Sequence, residues 1–259
     1  MNYFFKLNLI SFYTIFYKEI KRIVRIWPQT ILPSIITTFL YFIIFGNIIG
    51  NQISKIYDYT YIQYLVPGLI MMAIVNNSYT NVSSSFFSAK FQKHIEEILI
   101  SPTNNSTIIL GFIFAGVFRG LFIGFTVFIL SLYFTNLQCK NTFLTIFVSI
   151  LISILFSLAG FLNGIFAKKF DDISIIPTFI ITPMIYLGGV FFPITFLPLL
   201  YKKLIYINPM FHMINVFRYC MLNILDVNIY ISLIIIVLII ILLYNACLYF
   251  LNIGHGLKF

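Results

Sequence analysis

The sequence predicts an all-α, polytopic membrane protein, on three observations. Apolar residues make up 61% of the 259-residue chain and charged residues only 9%, with a mean hydropathy of +1.01. A soluble domain of this length needs more polar surface to cover its core, so lipid is the expected solvent for much of the chain. Charges then act as fences. None falls between Arg25 and Lys55, and long runs follow with none at 59–89, 98–118, 120–139, 141–167, 173–201 and 227–257. Crossing the hydrocarbon takes about 20 apolar residues in a helix, which places six spans near 30–49, 63–85, 107–133, 142–167, 174–192 and 229–251. The chain, 1–259, therefore reads as a single transmembrane domain with no room for a globular one.

Ahead of the first span, residues 1–29 interleave apolar and charged positions. Phe16, Ile20, Ile23, Val24 and Trp27 share one helical face, against Lys18, Glu19, Lys21, Arg22 and Arg25. This predicts a helix lying in the membrane interface, with Trp27 at headgroup level and Pro28 turning the chain into the first span. A basic stop that only orients the first span is an equal reading. A cleavable signal is not expected, because the apolar residues form no single run and no small-residue cleavage site follows.

The segment between the second and third spans, AKFQKHIEEILISP over 89–102, is the most distinctive. Phe87, Phe91, Ile95 and Ile98 recur at helical spacing, and Lys90, Lys93, His94, Glu96 and Glu97 fill the other faces. That is a short amphipathic helix ending near Pro102. A helix this charged does not sit in hydrocarbon, so it lies at the surface between two spans.

The third span carries Gly116, Gly120 and Gly124, four apart, which lets another helix approach closely. Beside them is Arg119, twelve residues past Thr107 and so roughly 18 Å into the span. No Asp or Glu lies inside any predicted span, leaving two roles. Arg119 lines a hydrated path, or it anchors helices through carbonyls and side chains such as Asn163. The fifth span is the least regular: Pro177 and Pro183 fall within it, Gly188 and Gly189 near its outer end, then Pro193 and Pro198. Such breaks persist only where neighbouring helices or water satisfy the freed backbone groups. The interrupted stretch that follows predicts a helix hairpin that enters the outer face and returns, turning at Asn208–Pro209. It caps a pathway, or it is a passive interfacial loop.

Orientation follows from basic residues. Lys6, Lys18, Lys21, Arg22, Arg25, Lys90, Lys93, Lys168, Lys169 and Lys258 fall on one side, against Lys55, Lys140, Lys202 and Lys203 on the other. This predicts cytoplasmic termini, with Asn2, His94, Asp171 and Lys258 inside and Ser54, Lys140 and Lys202 outside. The net charge of +9 is thereby a matter of topology, and nucleic acid is not an expected partner. No G-x-x-x-x-G-K-[S/T] loop is present to bind ATP phosphates, and no recognisable nucleophile setting occurs. His94, His212 and His255 lie far apart, with no acidic or cysteine ligands at metal spacing. Cys139, Cys220 and Cys247 show no C-x-x-C pattern. Neither catalytic residues nor a resident cofactor or metal is expected.

Several stretches carry a family resemblance: RIWPQT, TFLYFIIFGNIIG, VPGLIMM, SSFFSAKFQKHIEEILISP, FRGLF, FSLAGFLNGIFAKKFDDIS, PTFIITP, YLGGVFFPITFLP and INPMFHMINVFRY. Running from about Arg25 to Tyr219, they resemble the membrane subunits of ABC-2 type transporters of the bacterial inner membrane. The resemblance implies that the segment from Lys90 to Pro102 is a coupling helix touching a separate ATPase subunit, with Glu96 and Glu97 at its centre. It implies that the loop from Lys168 to Asp172, with Lys169 and Asp171, faces the same partner. The segment from Pro193 to Met213, with Pro198 and Pro209, would form re-entrant external helices. It also implies a homodimer, export, and ATP and Mg2+ held by the partner ATPase. Residues from Asp226 onward match in hydrophobicity alone. An ion-coupled secondary transporter and a membrane scaffold for envelope assembly are the alternative functions.

Overall fold

The protein's structure, a computed structural model, describes residues 2–50, 55–254 and 256. Ser54, His255 and Lys258 lie outside the described residues. Those described form helices joined by short turns, with no β-strand among them. In chain order the helices are α1 (Asn2–Arg25), α2 (Trp27–Tyr41, prolonged as a π-helix over Phe42–Ile49), α3 (Tyr61–Phe91), α4 (His94–Ile100), α5 (Asn105–Phe134) and α6 (Thr142–Phe166). Then come α7 (Phe170–Ile176), a π-helical stretch over Pro177–Ile181, α8 (Thr182–Leu187), α9 (Leu199–Ile207), α10 (Pro209–Leu222) and α11 (Ile229–Ile253).

Among the described residues, five segments are long and apolar enough to cross a membrane: Trp27–Gly46, Asn105–Phe134, Thr142–Phe166, Phe170–Leu187 and Ile229–Ile253. The span expected at 63–85 falls within α3, whose 31 residues extend roughly 46 Å at the helical rise. Its composition is the exception. Asn76, Asn77, Ser78, Thr80, Asn81 and Ser83 to Ser85 crowd its second half. The reason is position: α3 packs along both α5 and α6 and is buried over most of its length. A helix wrapped by protein can carry polar groups because neighbours, not lipid, receive them.

Small residues set those packing distances. A methyl group on Gly120 of α5 would collide with the Ser78 hydroxyl of α3, and one on Gly160 of α6 with the Tyr79 carbonyl. The contact between helices is thus backbone-close, as the four-residue glycine spacing implies. Helix starts follow ordinary chemistry: the Asn104, Asn208 and Asn228 side chains accept from backbone amides at the beginnings of α5, α10 and α11.

The segment expected as a fifth span over 174–192 runs instead from Phe170 to Leu187. Pro177 widens the helix into its π stretch, and the Thr182 hydroxyl bonds to the Pro177 carbonyl at 2.8 Å. The carbonyl that Pro177 leaves without an amide, that of Ile173, accepts from the Asn163 side chain of α6 at 3.2 Å.

The N-terminal helix departs from expectation in its facing. α1 packs beside the first half of α5, with Asn8 bonded to Thr107 and Ile15 against Gly111. Its buried residues are Ile15, Glu19 and Ile23, whereas Val24 and Trp27 are exposed. Glu19 and Arg22, assigned by periodicity to the polar outer face, point into the protein because polar partners await them there.

Candidate functional site

Three polar assemblies stand out, at the α4 end, within the bundle, and at the α9 end. At the α4 end the expected single helix over 89–102 is two pieces. Residues 89–91 complete α3, Gln92 and Lys93 turn the chain, and α4 starts at His94. Lys93 takes a left-handed backbone, φ 61°, which breaks the helical register that sequence periodicity alone carries through. Ile95 anchors α4 in an apolar cluster with Val82, Phe86, Ile108 and Phe112. Lys93, His94, Glu96, Glu97 and Pro102 are exposed, and Ile100 is 85% exposed. The turn into α5 is tied to α1, where the Asn8 side-chain oxygen accepts from the Asn104 amide at 3.0 Å.

Lys90 sits differently from its neighbours. Its side chain is buried, and its ammonium donates to the carbonyls of Ile165 and Ala167, both at 2.6 Å. A cation there satisfies the open carbonyls and negative dipole end of α6. Burial pulls the Lys90 pKa below the ordinary lysine value, and nearby Asp172 opposes the shift. Lys90 is thus a cap inside the protein and is absent from the exposed face. Phe170 packs edge-on against Phe87 and Phe91, with centroids 4.9 and 5.2 Å away. The end of α3 and the start of α7, far apart in sequence, are therefore one platform. Within it the Asp172 carboxylate accepts from the Lys168 and Lys169 amides at 2.8 and 2.9 Å. Lys168, Lys169 and Asp171 face outward.

Within the bundle, Arg119 is buried and reaches α3, donating to the side-chain oxygens of Asn81 at 3.3 Å and Asn77 at 3.4 Å. Arg22 of α1 donates to the same Asn81 oxygen at 2.8 Å and to the Asn81 carbonyl at 3.0 Å. Glu19 balances part of this charge, accepting from Arg22 at 3.1 Å and from Ser85 at 2.6 Å. Asn77 donates onward to Ser34 of α2 at 3.1 Å. One network thus joins α1, α2, α3 and α5. Asn163 takes no part in it: its amide donates to the Ile173 carbonyl, tying α6 to α7. The acid missing from the spans comes from α1, and the asparagines lie 38 and 42 residues before Arg119.

At the α9 end, Arg218 of α10 is fully buried and was not singled out by the sequence. It donates to the Gly189 carbonyl at 2.8 Å, stands 3.8 Å from an Asp226 oxygen, and lies 4.0 Å over the Tyr64 ring. Gly189 has φ +83°, a conformation that favours glycine, and Gly188 is buried with it. Pro193 is buried, Pro198 is exposed, and Pro209 opens α10 after the Asn208 turn. The Asn208 amide also donates to the Met184 carbonyl at 2.7 Å, so the α9–α10 hairpin is bound to α8. The signal that could reveal Arg218 is its lone charge within an apolar helix, the same signal that marks Arg119.

The profile of the ABC-2 type transporter family matches residues 10–222. The inner membrane transport permease YadH of Escherichia coli (strain K12) is 47% identical over 249 residues, covering 96% of this chain and 97% of that protein. YadH of Shigella flexneri aligns to the same extent. Nodulation protein J of Sinorhizobium fredii is 20% identical over 204 residues, 76% of this chain and 77% of its own length. The long alignment to YadH reaches into α11, so the likeness extends past Asp226, beyond what the quoted stretches suggest.

Proposed function

The chain belongs to the ABC-2 type transporter family, and from that premise we propose that it is the permease subunit of an exporter driven by a separate ATPase. In this reading it crosses the bacterial inner membrane six times, α3 being the second crossing, with the α4 end in the cytoplasm. Two copies pair, and ATP and Mg2+ are bound by the partner subunits. Closure of the ATPase pair moves α4, and the motion passes to α3, α5 and α7.

The observation that carries the reading is the surface of α4 and its platform. Ile95 roots the helix in the apolar interior while His94, Glu96, Glu97 and Ile100 are displayed outward. A lever needs both a grip on the bundle and a face for its motor. Lys90 and Phe170 supply a second tie, through which movement at the end of α3 reaches α6 and α7.

The test is reconstitution in vesicles with an ABC-type ATPase subunit of the same organism. The expected result is a stable complex whose transport requires ATP hydrolysis. Transport by the permease alone, driven by an ion gradient and indifferent to ATP, would contradict the proposal and favour ion-coupled transport.

A further inference from the structure

From Asn76 to Ser88, α3 keeps a single face partly open. Its neighbouring faces are occupied: Asn77, Asn81 and Ser85 bond to Ser34, Arg22 and Glu19 of α2 and α1, and Phe87 meets Phe170 of α7. Between these contacts Asn76, Thr80, Ser84 and Ser88 recur at every fourth position and stay partly exposed, while all the residues between them are buried. The stripe is roughly 18 Å long, polar throughout and without a charge. Thr80 and Ser84 donate to the carbonyls one turn back, at 2.7 and 2.6 Å, which leaves their lone pairs facing outward. The Asn76 amide has no partner among the described residues. Lipid tails satisfy none of these groups, so a stripe of this kind within a span faces water.

The stripe floors a groove with α1 and α2 as one wall and α7 and α8 as the other. At the α4 end it runs out to exposed Gln92. Toward the α9 end the walls meet. There the Tyr41 and Tyr186 hydroxyls are 3.1 Å apart, and the Phe191 ring packs against Tyr41, Phe45 and Tyr186 with centroids 5.6, 4.9 and 5.6 Å away. A cavity of about 170 Å3, lined by Thr37, Tyr41, Met72 and Asn76 among others, connects this closure to the stripe. Both walls change helical type beside it. The α2 helix turns π at Phe42, directly after Tyr41, and α7 passes through the π stretch over Pro177–Ile181 into α8, which carries Tyr186. Among the described residues π-helix occurs nowhere else, and such turns are rare and collect at functional sites.

We propose that the Tyr41–Tyr186 contact is a gate closing the α9 end of a water-filled groove, whose floor of Asn76, Thr80, Ser84 and Ser88 receives the uncharged, hydrogen-bonding groups of the cargo. The two π stretches are the hinges on which the gate parts. Nearby cations are engaged elsewhere, Arg22 and Arg119 with Asn81 and Asn77, and Lys90 with the α6 carbonyls, so the floor offers no fixed charge. The proposal rests on the permease reading for the existence of a cargo, whereas the wet, gated groove is tested without one.

The experiment uses the full-length permease with Cys139, Cys220 and Cys247 replaced by alanine. Into it go Asn76→Cys, Thr80→Cys, Ser84→Cys and Ser88→Cys, one at a time. A permanently charged methanethiosulfonate reagent, which needs water around the thiol, is applied to intact cells and to inverted vesicles, and His94→Cys reports which preparation exposes the α4 end. The expected result is rapid labelling of the stripe in that preparation and far slower labelling in the other. Leu238→Cys and Leu242→Cys, on the exposed apolar face of α11, stay unreactive in both. Tyr41→Phe or Tyr186→Phe keeps the ring and should speed labelling of Asn76→Cys from the α9 side roughly fivefold, the effect of one lost neutral hydrogen bond on a closed population. Tyr186→Ala should speed it further, and the phenylalanine variants stand in if it fails to fold. A stripe as silent as α11 in both preparations would mean that lipid or a second copy covers it, and would overturn the proposal. So would equal rates from both sides with the tyrosines intact, or rates that the tyrosine variants leave unchanged. Transport indifferent to ATP would contradict the exporter reading and leave these labelling outcomes as they stand.

Discussion

At Arg119 the physical problem is a charge within a span, and its solution comes from two asparagines one helical turn apart. Asn77 and Asn81 present their oxygens from the same face of α3, and Arg22 shares one of them. The arrangement favours the anchor over the path lining, since two of the three guanidinium nitrogens donate to protein oxygens, Nε alone having no partner among the described residues. Arg119→Gln retains donors and should preserve folding and most transport. Arg119→Leu leaves the buried Asn77 oxygen unpaired, while Asn81 keeps Arg22, and should cost about 1–3 kcal/mol, read as a lowered melting temperature in detergent. Equal loss in both variants would point instead to a need for charge. Lys90 poses a similar test. Lys90→Met removes two charge-assisted bonds to the end of α6 and should destabilise by a few kcal/mol, whereas Lys93→Gly, which relieves the left-handed backbone, should be neutral or stabilising. The need of Arg119 for polar company was legible in the sequence, because no acid lies in any predicted span. Its partners were not, because helix pairing decides them and nothing local encodes it. Lys90 and Lys93 look alike in sequence, yet one caps a distant helix and the other faces outward.

For the elements, the longest apolar runs were legible because hydropathy reports what lipid must solvate. α3 is the instructive case. It contains the expected 63–85 but runs from Tyr61 to Phe91, and its polar second half makes sense only once α5 and α6 enclose it. The glycines of α5 announced a close contact without naming the partner. The partner is α3 beside Gly124, and both α3 and α6 beside Gly116 and Gly120. Gly120→Val should therefore force α3 and α5 apart. Overpacking of this kind costs about 1–3 kcal/mol and should appear as a loss of monodisperse protein in size-exclusion chromatography. Gly254→Ala at the end of α11 meets nothing within contact distance and serves as the control, its only cost being a left-handed φ of 71°. The helix at 89–102 was legible in existence but not in extent. Periodicity ran through Lys93 because apolar spacing survives a tight turn that the backbone does not.

Across the whole molecule, the two ends carry different chemistry. One end gathers α4, the Lys90 cap and the α7 platform, and the other gathers Arg218, Gly189 and the α9–α10 hairpin. On the basic-residue asymmetry we propose the first end as the cytoplasmic one. Cysteine placed at His94 in a variant without native cysteines should thus resist an impermeant reagent applied to intact cells, and cysteine at Lys202 should react. The central claim is that the exposed acidic face of α4 receives the motor's stroke. Glu96 and Glu97 are exposed and outside the apolar cluster, so their reversal should leave folding nearly intact. The most direct measurement compares the wild-type permease with Glu96→Lys/Glu97→Lys, at matched expression, for co-purification of the ATPase and for ATP-dependent transport. The account predicts an equally abundant, folded permease that loses the ATPase and its transport. Normal co-purification and normal transport by the double variant would contradict it.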